Sequence, residues 1–307
     1  MPRRIVLAGG SGLAGTALAR HFAAAGWEVV ILSRRAAPGR GAVRTVGWDG
    51  RSAGPWAAEL DGAAAVVNLT GRNIGCLHTP ENRRLILESR VDSVRAVAAA
   101  VAGCRRPPEV LVQASAIGIY GDTGDRICDE GSPVAADFLA GVVAAWEGAF
   151  FQGAGAAGPR RVALRFGHLL GRDGGLLPPL ARVTRCFLGG AAGSGRQYLS
   201  WLHLADLGAL CDWVIARPEA RGVYNACAPG PVTNAGFMRQ LRRTLHRPWC
   251  PPAPAWAVRA VSRYLLRVEP SLLLTGGRCV PRRLLAEGFS FGFPNLAPAL
   301  GDLLGRS

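Results

Sequence analysis

The sequence predicts an α/β protein with a Rossmann-type doubly wound parallel sheet and a smaller C-terminal lobe. A glycine-rich turn directly follows the first apolar run, at residues 9–15. Short apolar runs then alternate with helical patterns as far as residue 165, as in parallel sheets. We place a nucleotide-binding domain at 1–170, which a late strand near 222–226 could rejoin. A mostly helical, substrate-side lobe follows at 171–307.

The elements follow from apolar runs, breakers and caps. The predicted strands lie at 4–8, 27–32, 64–69, 109–113, 161–165 and 223–225. The predicted helices lie at 16–25, 79–102, 137–150, 233–246 and 253–267. Thr79 is the expected N-cap of the second helix, with Pro80 at its first position.

Composition narrows the range of partners. The chain has 307 residues and a formal charge of +15, and arginine supplies all 36 basic residues because lysine is absent. The arginines occur in pairs at most, which predicts a dispersed basic surface and no nucleic-acid partner. An acidic partner is the alternative. No apolar run is long enough to cross a bilayer, so we expect a cytoplasmic protein without a membrane partner. The sequence leaves a homo-oligomer open.

Metal and lysine chemistry are not expected. The eight cysteines form no CxxC pair and none has a histidine at ligand spacing, so we predict no metal site. The absence of lysine excludes a Schiff base or a Walker lysine.

The glycine-rich turn predicts a dinucleotide site. In this pattern Gly9 permits a tight turn and Gly12 lets a pyrophosphate approach the backbone. Gly15 lets the helix pack closely on the strand. Ser11 and Leu13 lie between them. The N-terminus of the following helix would offer free N–H groups to the anion.

The end of the second predicted strand indicates which cofactor binds. NAD sites carry Asp or Glu there, whereas this chain has Ser33, Arg34 and Arg35. A guanidinium can hold the 2′-phosphate of NADP, so we predict NADP(H).

Several ordered segments resemble a known family. They are GGSGLAG (9–15), NLTGRNI (68–74), SRV (89–91), SAIGIYG (115–121), RFGHLLG (165–171), GSGRQY (193–198), WLHLADL (201–207) and GRCVPRRLL (277–285). Together they resemble the epimerase-like, atypical branch of the extended short-chain dehydrogenase/reductase superfamily, whose members have a small C-terminal domain of unknown function. The resemblance extends from about residue 4 to about residue 304.

The resemblance implies roles for matching positions. Ser33 and Arg34 would hold the ribose phosphate. Leu69 and Thr70 would line the cofactor, and Asn73 would face the cleft. Further positions are Arg90 near the ribose or the cleft and His168 near the nicotinamide. We expect His203 to cap or pack a helix.

The usual catalytic pair is missing. Members of the superfamily use Tyr-x-x-x-Lys, but the matching helix has Phe138 or Leu139 at the tyrosine position and Val142 or Val143 at the lysine position. Two hypotheses follow. Either the chain is an NADP-dependent oxidoreductase or epimerase acting on a small molecule, or it is an NADP(H)-binding regulatory or redox-sensing protein without catalysis. For the enzyme, we predict Ser115 and Tyr120 as the catalytic residues.

Overall fold

The computed structural model describes residues 3–152 and 158–305. The outer ends of the two predicted ranges, residues 1, 2, 306 and 307, lie outside the described residues. Across the described part, none of the helices combines the length and hydropathy that a membrane crossing requires.

The central sheet confirms the predicted fold class. Its strands are β1 (Arg4–Ala8), β2 (Glu28–Ser33), β3 (Ala37–Arg40), β4 (Val43–Gly47), β5 (Ala65–Asn68), β6 (Val110–Ala116), β8 (Arg160–Phe166) and β12 (Gly222–Ala226). Their order is β12-β8-β6-β5-β1-β2-β4-β3. All pair in parallel except the edge strand β3, which is antiparallel to β4. This is the Rossmann-type arrangement, in which the carboxyl ends of the strands form one edge.

Shorter strands connect the sheet to the C-terminal region. They are β7 (Ile127–Cys128), β9 (His168–Leu170), β10 (Tyr198–Leu199), β11 (Trp201–His203), β13 (Val232–Thr233) and β14 (Arg278–Cys279). β7 pairs with β14, β9 with β11 and β10 with β13. The β7–β14 pair anchors the C-terminal segment beside the end of β6.

The long helices cover both faces of the sheet. The helices are α1 (Leu13–Ala24), α2 (Pro80–Ala102), α3 (Phe138–Phe151), α4 (Leu177–Arg185), α5 (Leu204–Ala216), α6 (Asn234–Thr244), α7 (Ala255–Ala260), α8 (Ser271–Leu274), α9 (Arg282–Ala286) and α10 (Leu296–Leu304). Short 3-10 helices lie at Pro55–Leu60 and Ile117–Tyr120, and a π-helix at Val261–Leu266 continues α7. Thr79 caps α2 by accepting a hydrogen bond from the N–H of Asn82, as predicted.

Two apolar cores lie on opposite faces of the sheet. On one face α1 packs against α5, with Leu18, Phe22, Leu207 and Leu210 fully buried. On the other face α2 and α3 pack over β5 and β6. Because α5 and β12 contribute to the core that contains α1, that core extends across residue 170, where the sequence placed a domain boundary. A third apolar cluster joins α6 and α10.

Candidate functional site

The glycine turn has the geometry of a phosphate cradle. Gly9 adopts φ +72°, and a Cβ there would lie 2.7 Å from the Thr70 Oγ1. A Cβ at Gly15 would lie 2.3 Å from the Cα of Gly10, so close packing of α1 on the turn requires glycine. A Cβ at Gly12 would meet no atom within 4 Å. Gly12 therefore faces open space, which is where a ligand can approach the backbone.

The start of α1 presents a partial positive charge to this space. Gly12 is its N-cap, and no side chain caps the helix. The first N–H groups and the helix dipole therefore suit an anion. The Thr70 hydroxyl, beside Gly9, is buried without a hydrogen-bond partner among the described residues, so it is available to a ligand.

A groove beside the turn holds the predicted phosphate-binding residues. Ser11, Ser33, Arg34 and Arg35 all line it. Arg20, which sequence reasoning missed, projects into it from α1, one helical turn after Thr16. No Asp or Glu lines this groove within the described residues, and none of the three arginines forms an ion pair there.

A second cleft opens over the carboxyl ends of β6 and β8. Its volume is about 850 Å³, ample for a small molecule. One wall comes from Ile117 and Gly118 after β6 and from the start of α3. Other lining residues come from the C-terminal region, at Glu269 and around α8.

Polar side chains are spaced around this cleft. Asn73, His78, His168 and Glu269 line it. The N–H of His78 donates to the Glu269 carboxylate at 3.2 Å, and the His78 ring contacts the Ile74 carbonyl oxygen at 3.1 Å. The His168 ring has no hydrogen-bond partner among the described residues, and burial lowers its pKa. His168 is therefore mostly neutral at pH 7 and able to accept a proton from a ligand.

Ser115 and Tyr120 lie together in a buried polar network. The Ser115 hydroxyl donates to Glu147 at 2.5 Å, and Tyr120 donates to the Asn225 side chain at 2.8 Å. Arg165 joins the two halves, with two hydrogen bonds to the Glu147 carboxylate at 2.8 and 2.7 Å and one to Tyr120 at 2.7 Å.

Neither hydroxyl of this network lines the cleft within the described residues. Burial raises the pKa of Tyr120, against the opposing effect of Arg165. Burial alone would lower the pKa of Arg165, but the hydrogen bonds and charge of Glu147 raise it above its usual value. The catalytic role of Ser115 and Tyr120 stays a prediction, and their burial argues against it.

Helix α3 presents apolar side chains where the superfamily has its catalytic pair. Phe138 and Leu139 line the cleft. Val142 and Val143 are buried. Asp137, the N-cap of α3, accepts from the N–H of Ala140 and also reaches the cleft. This surface offers a substrate apolar contact but no phenolic proton.

The remaining predicted residues have structural partners. Arg90 donates to the carbonyl oxygens of Arg72 and Ile86, and burial lowers its pKa to about 10. Arg90 has no ion pair among the described residues. Leu69 is half-buried and packs against both sheet cores. His203 caps α5 by accepting from the Ala205 N–H, as expected.

Comparison with known proteins identifies the family. Residues 5–140 match the NAD dependent epimerase/dehydratase family, and residues 253–303 match DUF1731, a domain of unknown function. The mouse epimerase family protein SDR39U1 is 33% identical over 98% of this chain and 99% of its own length. YfhF of Bacillus subtilis, also called an epimerase family protein, is 33% identical over 98% of this chain and 97% of its own length.

Solved structures agree with the sequence relatives. The human epimerase family protein SDR39U1, crystallised with NADPH, has a TM-score of 0.87 and 33% identity, with 98% of each chain covered. A nucleoside-diphosphate sugar epimerase of Corynebacterium glutamicum has a TM-score of 0.79 and 30% identity, over 99% of this chain and 59% of that one. These findings confirm the resemblance seen in the sequence: the chain belongs to the epimerase family that includes SDR39U1.

Proposed function

We propose that this chain binds NADP(H) across the glycine turn and acts as an oxidoreductase or epimerase on a small molecule held in the adjoining cleft. The observation that carries the proposal is the groove beside the turn, which within the described residues is lined by two serines, by three arginines without ion pairs and by no carboxylate. The NADPH bound to human SDR39U1, at 33% identity, supports the same choice of cofactor.

The residues of the site fit the parts of this cofactor. The open space at Gly12 and the uncapped start of α1 would hold the pyrophosphate. The 2′-phosphate would be held by Ser33, Arg34 and Arg35. A guanidinium suits this group because it can donate to two phosphate oxygens at once. The unpartnered Thr70 hydroxyl would donate to the cofactor where Gly9 meets the end of β5.

When bound, the cofactor accepts or donates a hydride at its nicotinamide. The chain must then move the accompanying proton. His168 faces the cleft with a free ring and a lowered pKa, so its neutral imidazole can take the hydroxyl proton when an alcohol is oxidised. In the reverse direction the imidazolium returns the proton to the carbonyl oxygen. Ser115 and Tyr120 instead hold Glu147 and Arg165 in place beneath the cleft.

The alternative is an NADP(H)-binding protein without catalysis. It is favoured by the apolar face of α3, where Phe138 and Leu139 replace the usual acid. A carbonyl and alcohol panel with wild type, His168→Asn, Ser115→Ala and Tyr120→Phe separates the two functions. We expect slow turnover that falls at least about 100-fold in His168→Asn, the range for losing an acid–base group.

The other outcomes of the panel distinguish the two functions or test the cofactor. NADPH binding without turnover of any tested compound would favour the regulatory alternative. Turnover lost only in Tyr120→Phe, with an unchanged melting temperature, would show that the phenol supplies the proton. Failure to bind NADPH would refute the cofactor proposal itself.

A further inference from the structure

The exposed apolar side chains of this protein are concentrated in one region. Six large hydrophobic side chains of the described residues are at least 60% exposed: Phe187, Leu188, Trp249, Trp256, Tyr264 and Leu265. All of them lie at the end of α4 or in the segment from α6 through the π-helix. Trp249 and Tyr264 are 74% and 79% exposed. Large exposed apolar groups in such number mark an interaction surface.

The same two segments are strongly basic. Within residues 182–188 and 243–267 they carry six exposed arginines: Arg182, Arg185, Arg243, Arg259, Arg263 and Arg267. Residues 174–205 and 220–268 contain no Asp or Glu. None of the six arginines forms an ion pair within the described residues. The sequence predicted dispersed arginines, but folding gathers these from two separate stretches.

Direct contacts place the two segments side by side. The Arg247 guanidinium lies 5.1 Å from the centre of the Phe187 ring. The Arg242 side chain donates to the Gly189 carbonyl oxygen at 2.5 Å, and Ala192 pairs with Ala253 in a β-bridge. We call the exposed side chains of 182–188 and 243–267 the basic apolar surface.

The charge of this surface indicates which class of partner binds it. A second copy of the chain would bring two arginine-rich surfaces together with no carboxylate on either segment, which repulsion opposes. Nucleic acid would satisfy the arginines and could stack on Trp249, but it has no apolar region for Leu188 or Leu265. An anionic bilayer offers phosphate and carboxylate groups to arginine, and an interface that accepts Trp, Tyr and Leu.

Contrary to the sequence-based expectation of no membrane partner, we propose that the chain binds anionic membranes through the basic apolar surface, lying on the bilayer without crossing it. The aromatic and leucine side chains enter the headgroup region, and the arginines pair with lipid headgroups. Each arginine near an anionic surface strengthens binding about 5-fold.

The test is co-sedimentation of the full chain with vesicles. Vesicles of phosphatidylcholine alone are compared with vesicles containing about one third phosphatidylserine, an anionic composition. We expect binding only to the anionic vesicles, weakening as salt is raised. Arg259→Ser with Arg263→Ser should lower the partition coefficient about 25-fold. Trp256→Ser with Tyr264→Ser should lower it about tenfold, through lost apolar insertion.

Matched variants away from the surface are the controls. Arg95→Ser with Arg105→Ser removes the same charge from exposed positions, and Ile127→Ser with Leu285→Ser removes exposed apolar groups. Both should bind vesicles as the wild type does. All four double variants should bind NADPH normally, which shows that they are folded.

Three results would overturn the proposal. One is the absence of binding to anionic vesicles. Another is an equal loss in the charge control, which would mean that net charge alone drives binding. The last is release of the chain from vesicles by a DNA duplex at lower concentration than by soluble anionic lipid, which would make nucleic acid the partner.

Discussion

Glu147→Gln should destabilise the fold strongly, because it leaves a buried cation without its counter-charge. The Glu147 and Arg165 side chains are only 9% and 8% exposed, and two hydrogen bonds join them. Breaking a buried pair at one partner costs about 3–5 kcal/mol, a large part of a typical total of about 5–15 kcal/mol. At about 2 °C per kcal/mol for a chain of this size, the melting temperature should fall by about 6–10 °C.

Differential scanning calorimetry measures this change against a matched variant. Glu88→Gln makes the same substitution in the Arg84–Glu88 pair, which is joined at 2.8 Å but has side chains 60% and 44% exposed. An exposed pair of this kind is worth less than about 1 kcal/mol, so its loss should shift the melting temperature by no more than about 2 °C.

A second substitution identifies the cause of the loss. Adding Arg165→Met to Glu147→Gln removes the stranded cation, so the double variant should be more stable than Glu147→Gln alone. If Glu147→Gln and Glu88→Gln lowered the melting temperature equally, or if Arg165→Met added a further full loss, a stranded buried cation would not be the cause.

Three predictions concern the nucleotide site and its chemistry. Arg34→Ala should weaken NADPH binding by about 1–3 kcal/mol and leave NADH unchanged, as measured by titration calorimetry; equal losses for both nucleotides would contradict a 2′-phosphate contact. Gly12→Val should fold normally, because a Cβ there meets no atom within 4 Å, but it should lose nucleotide binding in a dye-displacement assay. Gly15→Ala, in contrast, should lower the melting temperature, because a Cβ there lies 2.3 Å from the Cα of Gly10. If His168 is the base, kcat/KM for alcohol oxidation should be level above pH 7, because the lowered pKa keeps the ring neutral there. It should fall as the pH drops through this pKa, below 6.5. The same pH profile in His168→Asn would exclude His168 as the base.

Local features of this protein were predictable because short segments determine them. Thr79 caps α2 as expected, since a capping side chain needs only the N–H three residues on. Gly9 has the positive φ expected of a tight turn and Gly15 packs closely against Gly10, whereas the pyrophosphate contact expected at Gly12 stays a prediction. The parallel sheet followed from the alternation of strands and helices.

Features that join distant segments were not predictable from patterns along the chain. Ser115 lies in β6 and Tyr120 in the 3-10 helix after it, but their hydrogen-bond partners Glu147 and Arg165 lie 32 and 45 residues away, respectively. Arg20 lines the groove beside the glycine turn because α1 packs against β2. Its position four residues after Thr16, on the same helix face, was the available signal.

The packing of α1 against α5 sets the order in which the nucleotide site is assembled during synthesis. Leu18 and Phe22 of α1 are fully buried in the core that also contains Leu207 and Leu210 of α5, encoded almost two hundred residues later. β12, the strand at one edge of the sheet, can likewise join it only after it has been translated. A ribosome-bound chain ending at residue 170 therefore exposes the inner face of α1, and such surfaces attract chaperones until the partner emerges. We expect the nascent chain to gain affinity for nucleotide late, after α5 leaves the exit tunnel, although its glycine turn is among the first residues made.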